Sequence, residues 1–357
     1  MLFKIALKNL HDVQRMNRIP SFDKGRCLQY KDAFVALSGI WNLFSQNASD
    51  HFDPAQSKEA QDLCLLPHLD AKIPGIDLIV QPLIDKLNDG SSLQELLEHT
   101  YKLQYELPAQ RLNLRVLQTI LMHVIRPLTG PKALSEADAL LLWASVFKDG
   151  LPLDTALSLH LGDQGCAATT LSKSALAEAF DTDNATRKCD CILAVDGLEV
   201  GNFEAKRESS SSIDIAIQMR KNAKINKSIL LELEKYGLEC PPILNIQGMT
   251  ATVSKITRYQ DIWVLGMACP TLALPRTGAH VRFFLEKDVY VLFRLLNNYH
   301  SYAQNAFLAK QRYEYHNQTL AQEAAESAYP KEGLATMEWE RVVLHSPSKP
   351  VTAKENG

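Results

Sequence analysis

The chain has 357 residues, 46% of them hydrophobic and 22% charged, with a formal net charge of -3 and a pI near 6.4. That is an ordinary globular composition, and it excludes a protein that coats nucleic acid by bulk charge, so any such binding must come from a local patch. No run of about 18 apolar residues occurs, and residues 1–10 are interrupted by Lys4 and Lys8, so neither a membrane span nor a secretory leader is expected.

Seven scattered cysteines without paired CxxC spacing fit reduced thiols in an intracellular protein, cytoplasmic or nuclear. Residues 1–128 read as a helical N-terminal region, with apolar periodicity over 93–105 and 110–126 and frequent Pro and Gly punctuation. Trp41 and Phe44 read as core anchors there. The pattern changes after the Pro127–Pro131 break. Ser135 is placed to cap a helix running through Trp143 and Phe147, with Glu136 and Asp138 in its first turn. His160 reads as a structural hydrogen-bonder and Asp163 as a turn residue.

The stretch from Lys188 to Lys206 carries the chemistry. Two short apolar runs flank Asp196 and Gly197, an Asp-Gly turn signal, so two strands joined by a hairpin are expected. Glu204 and Lys206 are two apart on the second strand and share a face; Asp190 lies on the first and reaches that face if the register allows. Cys189 and Cys191 alternate to the other face and read as core thiols. Two carboxylates and an amine gathered on a sheet suit a divalent cation and an activated water.

A helix follows, with Ser212 as its expected N-cap, Asp214 near its positive end and Gly237 closing it. Ile215, Met219, Ala223, Leu230 and Leu233 form its expected buried stripe, with Gln218 and Asn222 on the stripe's edge. Arg220, Lys221, Lys224 and Lys227 share the remaining face. Over residues 204–227 there are six Lys/Arg against three Asp/Glu, a local excess of three positive charges. This basic face is a candidate nucleic-acid contact or an ordinary solvated surface. Three more strands are expected at 243–248, 251–259 and 262–267, then a long helix over 281–311. The segment 316–357 reads as an extension, polar and disordered over 346–357.

Asp190, the Glu204-Ala205-Lys206 tripeptide and the helix with Gln218 resemble the PD-(D/E)XK superfamily of restriction-endonuclease-like nucleases. The likeness spans about residues 131–311 and extends to PD-(D/E)XK-like families of Mucor- and Rhizopus-type fungi. It implies an α/β fold, with a core of about five mixed strands flanked by helices, in a domain over 129–315. It implies Mg²⁺ or Mn²⁺ held by Asp190, Glu204 and the backbone carbonyl of Ala205, with Lys206 handling the water and Gln218 bracing the site. Glu136 is the candidate for the extra acid that a preceding helix often supplies in that family. Asn222 stands where a Tyr is usual in the subgroup that has a helical Gln, which puts the subgroup in doubt. The implied function is metal-dependent hydrolysis of nucleic-acid phosphodiesters, DNA before RNA. The alternative is an inactive nuclease-fold module that binds nucleic acid or protein.

Overall fold

A computed structural model describes residues 24–45, 53–67, 73–127, 133–152, 154–180 and 188–326. Its helices are α1 (Lys24–Leu37), α2 (Pro54–Cys64), α3 (Asp77–Asn88), α4 (Leu93–Glu106), α5 (Arg111–Ile125), α6 (Glu136–Gly150), α7 (Ala167–Phe180), α8 (Ser212–Leu233), α9 (Gly278–Phe283) and α10 (Val289–Glu326). The strands are β1 (Ile40–Asn42), β2 (Leu157–Gly165), β3 (Lys188–Val195), β4 (Leu198–Lys206), β5 (Ile243–Gln247), β6 (Thr250–Tyr259), β7 (Ile262–Met267) and β8 (Leu272–Ala273).

They form one mixed sheet in the order β1-β7-β6-β5-β4-β3-β2, with β8 pairing the start of β6. Asp196 (φ 49°) and Gly197 (φ 79°) make the β3–β4 hairpin; left-handed backbone at both central positions suits the strand twist. β4 and β5 run parallel, which a tight turn cannot achieve. α8 supplies the crossover between them, and Ser211, one residue before the expected cap, accepts from the Asp214 amide at 3.2 Å. Gly237 (φ 68°) ends the segment after a short 3-10 turn.

The sheet has eight strands rather than about five. β1 and β8 are three and two residues long, too short to carry a period. β2 alternates Leu157, Leu159 and Leu161 and then bulges at Gly162 (φ 94°), so Asp163 sits within an edge strand rather than in a turn. α7 was not legible because its cap comes from elsewhere: Glu199 on β4 accepts from the Ala167 and Ala168 amides at 2.8 and 3.0 Å.

The main apolar core runs from Leu66 to Ala306, so α3, α4 and α5 share it with α6, the sheet and α10. β1 pairs with β7, and the described residues before 128 contribute to the same sheet and core. Trp41 is fully buried and Phe44 packs on a smaller cluster. Phe203 on β4, Phe147 on α6 and Tyr299 on α10 meet edge to face, 5.2–5.9 Å between centroids. Alternation along β4 then directs Asn202 and Glu204 to the opposite face, where α8 lies. The six cysteines with described side chains are free and buried. The terminal segment 346–357 lies outside the described residues.

Candidate metal centre

The β3–β4 ladder pairs Cys191 with Phe203 and Ile192 with Asn202. One step further, Asp190 stands opposite Glu204, and residues opposite one another in an antiparallel pair share a face. Asp190 Oδ2 accepts from the Ala205 amide at 2.8 Å, which fixes its carboxylate at the end of the ladder. Glu204 is 1% exposed. Its Oε1 accepts from Asn202 Nδ2 at 3.1 Å and its Oε2 from Lys221 Nζ at 2.7 Å. Burial pushes the Glu204 carboxyl up to about 7; Lys221 works against this, and the charge of Asp190 adds to it. Burial opposes the charge on Lys221, but Glu204 and then Asp190 outweigh it and raise the ammonium above its ordinary value. The charge of Asp190 thus acts on both Glu204 and Lys221.

Lys206, at the end of β4, donates to Glu136 Oε1 at 2.9 Å. The start of α6 is brought there by its own cap and by β4. The Ser135–Asp138 capping box forms, and the Glu208 amide bonds the Leu134 carbonyl at 3.5 Å. Gln218, one turn into α8 and buried, donates from Nε2 to the Ala205 carbonyl at 2.9 Å. The structure therefore gathers Asp190, Glu204, Ala205, Gln218 and Lys221 at one point, with Lys206 and Glu136 paired at the adjoining strand end.

Arg220, Lys224 and Lys227 are not there, and the expectation that they form a solvated basic face is corrected. They are 4%, 4% and 1% exposed. Arg220 forks onto Asp32 of α1, with Nε to Oδ1 at 2.5 Å and Nη2 to Oδ2 at 2.8 Å, and also donates to the Ala216 carbonyl at 2.7 Å. Lys227 donates to the Ser38 carbonyl, and Lys224 lies 5.6 Å from the Phe34 ring centre. The reason is tertiary: α1 packs along α8, so from residue 222 to 231 the helix is buried all round rather than on one stripe. Lys221 is the one cation of the four that reaches the acids, and its side chain is 41% exposed.

Two contributors escaped the sequence reading. Lys221 is expected either as a nucleic-acid contact or on a solvated surface, although its three-residue spacing from Gln218 puts both on one helix face. Asn202 is two residues before Glu204 on the same strand face, a spacing that would have found it. Behind the acids lies a buried amide network. Asn202 Nδ2 also bonds Asn222 Oδ1 at 2.8 Å, Asn226 Nδ2 bonds the same oxygen at 2.7 Å, and Asn222 Nδ2 reaches Asn245 Oδ1 at 3.0 Å. This network ties α8 to β4 and β5, with Asn202 Oδ1 its one described member atom left without a partner.

Two features bear on whether this site fits a divalent ion. Its donors are hard oxygens: two carboxylates and the Ala205 carbonyl, a set that Mg²⁺ completes with water. A cation already stands on Glu204, the ammonium of Lys221, and Asn202 Oδ1 is buried with no hydrogen-bond partner. The residues fit the ion, provided Lys221 Nζ leaves Glu204. Among the described residues, no group of three or more His, Cys, Asp or Glu side chains is placed to hold a metal, so an ion here would need backbone and solvent oxygens beside the two acids. No described helix is long and apolar enough to cross a membrane. Compared with known proteins, the chain matches no family model, no curated protein and no solved structure.

Proposed function

We propose that this protein is a metal-dependent nuclease with a restriction-endonuclease-like core, acting on DNA before RNA. The observation that carries the reading is that Asp190 and Glu204 stand opposite one another across the β3–β4 ladder, with the ammonium of Lys221 on Glu204. The mixed sheet flanked by helices supports it, as does the meeting of Glu136 with Lys206, since the family resemblance implies an acid from the preceding helix.

Asp190 and Glu204, with the Ala205 carbonyl, would hold Mg²⁺ or Mn²⁺. Such an ion would neutralise charge on the phosphodiester and acidify a bound water. The protein's own groups then have separable duties. Gln218 pins the Ala205 carbonyl, and the Ala205 amide pins Asp190, so the acids are oriented before anything binds. Lys206 Nζ donates to Glu136 Oε1 and has further N–H donors that would orient a nucleophilic water.

One observation favours a second reading, a nuclease-fold module without catalysis. Both oxygens of Glu204 already have protein donors, and the side chain is sealed from solvent. With Arg220, Lys224 and Lys227 buried, a nucleic-acid partner rests on the chemistry of the acids. The other candidate cations carry little: Lys255 pairs with Glu239, Arg276 with Glu208, and Arg258 lies over Trp263.

The test is cleavage of single- and double-stranded DNA and of RNA by purified protein with Mg²⁺, Mn²⁺ or EDTA. Metal-dependent cutting lost in Asp190→Asn, Glu204→Gln and Lys206→Met is the expected result. Cutting that survives EDTA would overturn the proposal, and inactivity on every substrate would leave the non-catalytic module.

A further inference from the structure

The buried network around Glu204 contains one group that can leave. Asn202, Asn222, Asn226 and Gln218 are enclosed, each held by more than its contact with the site or by its position on α8 against the sheet. Lys221 differs: its Nζ lies on Glu204 Oε2 at 2.7 Å while 41% of its side chain is open to solvent. A lysine stem is flexible, and its ammonium is a compact charge that water solvates well. The pair is therefore asymmetric. Glu204 has nowhere to go, whereas Lys221 swings outward at the cost of leaving a sealed carboxylate without its cation. A carboxylate left that way is strongly disfavoured unless a proton or another cation takes the ammonium's place.

We infer that Lys221 is a tethered counter-ion of Glu204, which a divalent cation must displace from that carboxylate. The inference rests on the metal reading proposed above and deepens it by naming what controls occupancy. Its charge keeps the fold intact without metal, and its departure is the cost of loading. Metal affinity is then set by competition with the chain's own ammonium, and the site fills only when free divalent cation is high enough to win. Asn202 remains on Oε1 throughout, because it bonds through a buried amide that does not reach solvent.

The test is Mn²⁺ titration by calorimetry on the full chain, together with thermal melts in EDTA and in Mn²⁺. Wild type, Lys221→Met, Lys221→Arg and Asp190→Asn are compared. In Lys221→Met the competitor is gone and the stem's apolar bulk remains, so Mn²⁺ should bind at least about ten-fold more tightly than to wild type. Its melting temperature should fall in EDTA and recover in Mn²⁺, because the metal takes over the ammonium's place. Lys221→Arg keeps a cation with a forked grip on carboxylate and should bind Mn²⁺ no more tightly than wild type. Should Lys221→Met fold only in Mn²⁺, the inference stands. Should it not fold in either condition, Lys221→Arg decides, and tighter Mn²⁺ binding in that variant overturns the inference. If wild type binds Mn²⁺ through Asp190 but Lys221→Met binds it equally or more weakly, Lys221 is only a structural ion pair and this inference alone falls. If no variant binds metal, the nuclease proposal falls and takes the inference with it.

Discussion

Replacing Asp32 by Asn is the sharpest test of where the basic residues of α8 belong. Asp32 and Arg220 make two parallel bonds of 2.5 and 2.8 Å, and their side chains are 16% and 5% exposed. At an effective dielectric of about 20, unit charges about 2.8 Å apart attract by roughly 6 kcal/mol, and desolvation offsets much of that. Removing one partner of such a pair costs about 3–5 kcal/mol, because the other charge is left buried. Arg220 keeps its bond to the Ala216 carbonyl, so the lower end, about 3 kcal/mol, is expected. With a urea slope of about 3 kcal/mol per molar, the unfolding midpoint should drop by about 1 M. A double variant, Asp32→Asn with Arg220→Met, should recover most of the loss, since no charge is stranded. A cost below about 1 kcal/mol for Asp32→Asn would refute the reasoning. Helix α1 would then not be docked on α8, and Arg220, Lys224 and Lys227 would return as candidate phosphate contacts.

Two further outcomes follow from the site. The Glu204 carboxyl binds its proton more tightly folded, at about 7, than at the ordinary 4.5. Its contribution therefore favours the fold at low pH and is lost as pH rises between those values, by about 3 kcal/mol in all. The stability difference between wild type and Glu204→Gln, measured by urea unfolding without metal, should widen against wild type by that amount from pH 4.5 to 8; a flat difference would refute the burial argument. The Lys206–Glu136 pair is one-third open to solvent on both sides and is worth less than about 1 kcal/mol. Glu136→Gln should thus leave the melting temperature nearly unchanged while lowering metal-dependent cleavage by about ten-fold or more, and equal cleavage rates would remove Glu136 from the site.

The parts of this molecule that were legible in the sequence are those whose signals are local. The Asp196–Gly197 turn and the Ser135 cap each specify their own geometry within a few residues. The strands at 243–247, 250–259 and 262–267 follow from apolar runs between turn residues. Asp190, Glu204 and Lys206 were readable because a hairpin and a two-residue spacing bring them together. What failed was non-local. The burial of Lys227 depends on a carbonyl at Ser38, and that of Arg220 on a carboxylate at Asp32, nearly two hundred residues away. No helical wheel of α8 shows that α1 will lie across it. The capping of α7 by Glu199 is hidden for the same reason.

The central question is whether Asp190 and Glu204 take a metal together. Crystals of the full chain soaked in Mn²⁺ and measured at the manganese absorption edge test it most directly. The expected result is an anomalous peak bridging the Asp190 and Glu204 carboxylates, with Lys221 Nζ moved off Glu204 Oε2. A map without a peak there, with the Lys221 ammonium still 2.7 Å from Glu204, would contradict the proposal.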